Sequence, residues 1–363
     1  MDKRTELFKQ RLIKYLEIEA MSRYEEPVAT ELRNNIDNNK FEILRDKLGS
    51  IIFHKKSRSV NAPKVMVAAH MDEIGYIVRN IDSKGQLLLS SIGGIWASTI
   101  IGTKAKLVTS KGETLLGVFG HTSIHIMEAS KVSKALTNDE IYADFGFKNK
   151  NEAIENGVEI GDRVYISGET IIFKNPDLLG GKAMDNRAGV TVLEFLANQV
   201  ANFDLDIDLY LVGTVQEEVG TRGARSSVSM INPDIAIALD TTSSHDTIGT
   251  IEGTTALFKG AAIRVKDGGT LMDTKLVQFI FNLAKKHNIN AYKFVAAGGG
   301  TDAKELQYAQ GGAATITLSL PQRYLHSPIG VIAISDLLST LDLLDNFVKE
   351  MNQNIHEKEI KYS

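Results

Sequence analysis

The chain has 363 residues, 43% of them hydrophobic and 24% charged, with a formal net charge of -4 at pH 7 and no cysteine. That balance offers no basic surface for nucleic acid or an anionic membrane, and it excludes disulfides and thiolate ligands. Any metal ion must therefore be held by His, Asp and Glu.

In chain order, MDKRTELFKQRLIKYLEIEA places Leu7, Phe8, Leu12, Ile13 and Leu16 at helical spacing among alternating charges. It lacks the unbroken apolar centre of a secretion signal, and no run approaches the ~18 apolar residues of a membrane span, so a cytoplasmic location is expected. KVMVAA (64–69) reads as a strand buried on both sides. Beyond it come YIVRNIDSKGQLLLSSI, TKAKLVTSKGETLLGVFG and VEIGDRVYISGETIIF, strand-like runs broken by Ser-Lys-Gly, Lys-Gly-Glu and Ser-Gly-Glu turns, which is the pattern of hairpins. A helix over 188–200, strands over 207–215 and 234–239, helices over 272–287 and 301–310, a strand over 313–320 and a helix over 335–351 follow. Alternating strands and helices predict an α/β body with a mostly parallel central sheet flanked by helices. Residues 1–72 and 175–363 are expected to form that body, with 73–174 inserted as a small β-rich domain. No internal repeat is visible.

Ligands in open α/β sheets bind beyond the carboxyl ends of the strands. After KVMVAA come His70 and Asp72; after 207–215 come Gln216, Glu217 and Glu218; after 234–239 comes Asp240; after 313–320 comes PQRYLHSP with His326. GGKAMDNRAGV adds Asp185 before a helix. Taken singly, Asp185 reads as an N-cap, either histidine as a satisfied half-buried ring, and the Glu pair as solvated surface. Four strands ending in the same chemistry outweigh those readings. Five O and N ligands exceed what one four-coordinate ion with an open position uses, so two divalent ions sharing a carboxylate, zinc, cobalt or manganese, are expected.

With AAHMDEIG, GKAMDNRAG, GTVQEEVGTRGA, ALDTT, GGGTDA and RYLHSP in this order, the chain resembles the dinuclear-metal aminopeptidases that include glutamyl, deblocking and tetrahedral aminopeptidases. The resemblance implies one ion on His70, Asp185 and Asp240 and another on Asp185, Glu218 and His326. It further implies Glu217 as general base, Asp72 as the carboxylate behind His70, and a cis Asp185–Asn186 peptide. Peptide substrates are expected to lose their N-terminal residue. The inserted domain is expected to mediate dimers, within a homo-oligomer that is either a dimer or a tetrahedral dodecamer. One departure is Arg23 in MSRYEEPV, where members tend to carry glycine.

Three other readings compete. The same ion pair serves carboxypeptidases and deacylases, paired carboxylates without metal serve glycoside hydrolases, and a fully ligated ion serves a non-catalytic scaffold. For an acidic N-terminal residue, Arg323 is a candidate basic donor, with a salt-bridged structural arginine as its alternative. The GGGTDA glycines are expected to line the same pocket.

Overall fold

The computed structural model describes residues 2–362. An eight-stranded sheet runs, in spatial order, Glu42–Arg45, Ile51–Lys55, Asp208–Thr214, Lys64–His70, Ile235–Ser243, Ala314–Gln322, Ala261–Lys266 and Ala291–Val295. The four central strands, from Asp208–Thr214 to Ala314–Gln322, are parallel to one another, and an antiparallel pairing flanks them on each side. Their apolar residues, such as Val65–Ala69 and Ile235–Leu239, are buried, which is why they read as continuous hydrophobic runs. Helices Lys3–Leu16, Met184–Val200 and Ile334–Glu350 pack on one another, and Met184–Val200 lies on the central strands; Arg222–Ile231 and Ala303–Leu306 form a second packed pair. This is the mixed α/β class expected from the sequence.

Six antiparallel strands, Gly75–Ile81, Leu87–Ile92, Tyr142–Asp144, Thr114–Gly120, Lys104–Val108 and Arg163–Ile166, close into a barrel. It has its own core, including Tyr76, Leu89, Leu107, Phe119 and Val164. The barrel hangs from the carboxyl end of Lys64–His70, so Asp72 lies in the connection between sheet and barrel.

The Ser-Gly-Glu turn at 167–169 does not close a third hairpin. Ile171–Ile172 instead pairs with Leu178–Gly181, which pairs with Gly330–Ala333. A Cβ at Gly168 would lie 1.8 Å from the Pro328 carbonyl oxygen, so that glycine permits a backbone approach and does not serve a hairpin turn. The Gly181–Gly330 pairing brings the segment leading to Asp185 alongside the one leaving His326. The helix expected over 301–310 is confined to Ala303–Leu306. No helix among the described residues is long and apolar enough to cross a membrane.

The GTRGA glycine has a packing reason. A Cβ at Gly223 would lie 2.4 Å from the Val215 carbonyl oxygen and 2.5 Å from its nitrogen, at the strand end that precedes Glu217 and Glu218. Backbone cannot yield as a side chain does, so overpacking there costs ~1–3 kcal/mol. Gly223→Ala is therefore expected to lose that much stability in denaturant titration. Gly300→Ala, whose Cβ would meet nothing within 4 Å, is expected to lose less than ~1 kcal/mol; equal losses would contradict this packing account.

Candidate active site

Parallel register sets the ligand row. Thr214 lies opposite His70, and Leu239 opposite Ala69, so Asp240 follows level with His70 at the neighbouring strand end. Asp185 comes from another direction, at the start of the Met184–Val200 helix, where Asp185 and Asn186 leave helical geometry and their peptide bond is cis. Asn186 Nδ2 donates to the Leu239 carbonyl oxygen at 2.8 Å and ties this kink to the Asp240 strand.

Asp185 stands between two imidazoles. Its Oδ1 is 3.1 Å from His70 Nε2 and its Oδ2 is 3.2 Å from His326 Nε2. Asp240 Oδ1 lies 3.5 Å from His70 Nε2, and Glu218 Oε1 lies 3.4 Å from His326 Nε2. The structure thus brings together two groups able to hold a cation, His70–Asp185–Asp240 and Asp185–Glu218–His326, with Asp185 common to both.

The histidine tautomers follow from their other contacts. His70 Nδ1 donates to the Asp72 carbonyl oxygen at 3.2 Å, and His326 Nδ1 donates to the Gly94 carbonyl oxygen at 2.6 Å. A carbonyl only accepts, so Nδ1 carries hydrogen in both rings and Nε2 is the nitrogen turned toward the carboxylates. This is the usual orientation of a ligating histidine.

The Asp72 side chain does more than back His70, from which its Oδ1 is 3.4 Å. Fully buried, it accepts the backbone N–H groups of Glu217 at 3.0 Å and Glu218 at 3.2 Å, and the Ser22 hydroxyl at 2.6 Å. Glu217 therefore sits next to both ligand groups without belonging to either.

Electrostatics favours a bound cation. Burial penalises the charged form of His70 and His326, but the surrounding carboxylates outweigh it: both are raised, His326 to about 11. Burial likewise acts against ionisation of Asp185, yet the two imidazoles hold its carboxyl far below the ordinary range. Burial raises Glu217, Glu218 and Asp240, with neighbouring carboxylates adding to it. Glu218 Oε1 is buried without a hydrogen bond. An orphaned oxygen amid excess carboxylate, with only N and O donors, fits a divalent cation of the zinc, cobalt or manganese kind.

The ligand groups open into a cavity of about 530 Å³, whose wall also contains Ile251, Arg264, Phe294 and Gly298–Gly300. The GGGTDA glycines thus line it. Arg323 does not: its guanidinium grips Asp246 at 2.9 and 2.6 Å. The arginine in the wall is Arg264, which sequence reading missed because AAIRVK carries no turn or motif signal. It donates to Ser319 Oγ, Asp267 Oδ2 and the Thr241 carbonyl oxygen. Also missed was Asp302, buried inside GGGTDA, accepting from Thr214 Oγ1 at 2.5 Å; burial, with nearby carboxylates, pushes it up to about 7.

The profile of the family described as M42 glutamyl aminopeptidase matches residues 49–343. The glutamyl aminopeptidase of Lactococcus lactis subsp. cremoris (strain MG1363) is 32% identical over 337 residues, 93% of this chain and 94% of the relative. Among solved structures, the aminopeptidase APDkam598 of the archaeon Desulfurococcus kamchatkensis superposes with a TM-score of 0.93 at 30% identity, covering 99% of both chains. The Pyrococcus horikoshii TET1 peptidase, described as assembling into a tetrahedron or a large octahedral shell, gives 0.85 at 27% identity over 95% of this chain and 100% of its own. These findings decide for the aminopeptidase resemblance: the chain is a peptidase and belongs to the M42 glutamyl aminopeptidase family.

Proposed function

We propose that this peptidase removes the N-terminal residue of peptides at the Asp185-centred site, with Glu217 as general base. The observation that carries the reading is the carboxylate of Asp185 shared between two ligand groups, with Glu217 beside both. His70, Asp185 and Asp240 would hold one divalent cation, and Asp185, Glu218 and His326 a second. Bound there, the cations would supply an activated water and polarise the scissile carbonyl.

The chain's own groups do the rest. Burial raises the Glu217 carboxyl well above its usual value, toward the range in which a carboxylate accepts a proton and returns it near neutral pH. Glu217 takes the proton from the attacking water and passes it to the leaving amine. Asp72, through the Glu217 and Glu218 amides, keeps the base turned one way and the ligand the other. The surrounding carboxylates hold the free α-ammonium of the substrate, which selects the amino end.

Selectivity for an acidic N-terminal side chain is proposed for Arg264. Of its five N–H groups, three are engaged by Ser319, Asp267 and the Thr241 carbonyl, leaving two for a ligand carboxylate in the cavity it lines. A homo-oligomer is also proposed, formed through the barrel, where Trp96, Leu116, Ile124 and Ile126 are exposed. The assembly of the TET1 peptidase supports this.

Three outcomes are expected. Glu217→Gln lowers kcat by ~10²–10⁴-fold while cation uptake, measured by elemental analysis, stays at the wild-type level; retained turnover would refute the base assignment.

Loading the chelated protein with zinc or cobalt at pH 7 releases protons, because His326, raised to about 11 without cation, is protonated there and a ligand imidazole is neutral. Apparent affinity therefore rises as pH is raised through neutrality, and pH-independent titrations would contradict the ligand set. On amino-acid anilides, Arg264→Met lowers kcat/KM for the glutamyl substrate by ~10–100-fold, the worth of a hydrogen bond to a charged group, and leaves the leucyl substrate within a few-fold. Equal losses would remove Arg264 from selectivity.

A further inference from the structure

The segment Ile18–Glu25 contains none of the ligand residues, yet it touches three of the five segments that carry them, those of His70, Asp185 and Glu218. Toward the Asp72 loop, Glu73 N donates to the Ala20 carbonyl oxygen at 3.0 Å, and Ala20 N donates to Glu73 Oε1 at 2.8 Å. Met21 pairs with Glu73 as an isolated bridge, and Ser22 Oγ donates to Asp72 Oδ2 at 2.6 Å. Toward Asp185, Lys182 Nζ donates to the Ile18 carbonyl oxygen, and Arg187 donates to those of Ile18 and Ala20. Toward Glu217, the carboxylate of Glu25 accepts the N–H groups of Gln216 at 2.9 Å and Arg23 at 2.8 Å through the same oxygen.

Two of these contacts act directly on the Glu217–Glu218 pair. Asp72 is fully buried, and no side chain of the ligand loops other than His70 fixes its carboxylate. The Ser22 hydroxyl, 2.6 Å away, is its shortest partner. A buried carboxylate keeps its direction only while its donors persist. Gln216 is in the left-handed region, at φ 57°, which a residue other than glycine holds when its surroundings fix it. Glu25, 4% exposed, is what accepts its N–H. Arg23 itself stands at φ 78°, a conformation that favours glycine.

We infer that Ser22 and Glu25 are positioning residues of the catalytic site: Ser22 sets the direction of the Asp72 carboxylate, Glu25 sets the turn at Gln216, and together they aim Glu217 and Glu218. The inference rests on the peptidase mechanism proposed above. Neither residue lines the cavity or belongs to a ligand group. The N-terminal segment is thus a brace against which the segments of His70, Asp185 and Glu218 are aligned.

The test compares Ser22→Ala, Glu25→Ala and Glu25→Gln, the last retaining an oxygen that accepts both N–H groups. Ser22→Ala and Glu25→Ala are expected to lower kcat ~10-fold or more, the scale of partners that orient ligands, with KM within twofold. Glu25→Gln is expected to recover most of the loss. Hydrogen exchange reads the brace without activity: the Gln216 amide stays protected in the wild type and Glu25→Gln, and exchanges at least 10-fold faster in Glu25→Ala. Zinc titration of the chelated protein is expected to show weaker affinity in Ser22→Ala.

Turnover within twofold of wild type in both alanine variants overturns the inference. So does a Glu25→Gln variant no better than Glu25→Ala, since a merely space-filling role would give that result. Should Glu25→Ala fail to fold, the kcat and zinc affinity of Ser22→Ala decide. Wild-type turnover that survives chelation contradicts the metallopeptidase mechanism instead, and leaves the exchange measurement to judge the brace.

Discussion

The carboxylate of Asp185 lies between two imidazoles, each of its oxygens about a hydrogen-bond length from a different Nε2. That arrangement requires three chain segments, far apart in sequence, to meet within a few ångströms. Each is delivered by a different device. Parallel register puts His70 and Asp240 side by side. The Gly181–Gly330 pairing draws the His326 segment beside the one that leads to Asp185. The non-helical Asp185 and Asn186 let the aspartate face the sheet edge before the helix begins.

Burial is the cost of this convergence and also the source of its chemistry. Asp72, Asp185, Glu217, Glu218 and Asp240 crowd two histidines at the inner wall of the cavity, with His70, Asp72 and Asp240 buried. Without cations, the imidazoles are driven to hold protons and Glu217, Glu218 and Asp240 resist ionisation. Two divalent cations would replace those protons with a larger charge at the same atoms. Behind the site, the buried Lys182 and Arg187 share the carboxylate of Glu73, so positive charge already backs the acidic cluster from the protein side.

Much of this was legible in the sequence, because buried parallel strands read as apolar runs and whatever follows them is thrown onto one edge. Strands 64–69 and 234–239 and the residues after them, His70, Asp72 and Asp240, are of this kind. Other parts were not legible. Glu42–Arg45 and Ala291–Val295 are half-exposed edge strands without a clean period, and Arg222–Ile231 is a short helix whose buried face is largely Gly223, Ala224 and Ser227, too small to read as an apolar stripe. The turn after Ile166 looked like a hairpin because glycine serves both a turn and a close approach. Ser22 and Glu25 act through contacts to residues 50 and 191 positions away, and Arg264 from the middle of a strand, where spacing carries no signal. Arg323 and Arg264 differ in place: Arg323 pairs with Asp246 away from the cavity lining, and Arg264 lies in the cavity wall.

The most direct test of the shared carboxylate is anomalous diffraction from crystals grown with excess zinc or cobalt. The account predicts two strong peaks per chain, one among His70, Asp185 and Asp240 and the other among Asp185, Glu218 and His326, with one Asp185 oxygen turned to each. A single peak, or none within reach of Asp185, would contradict it.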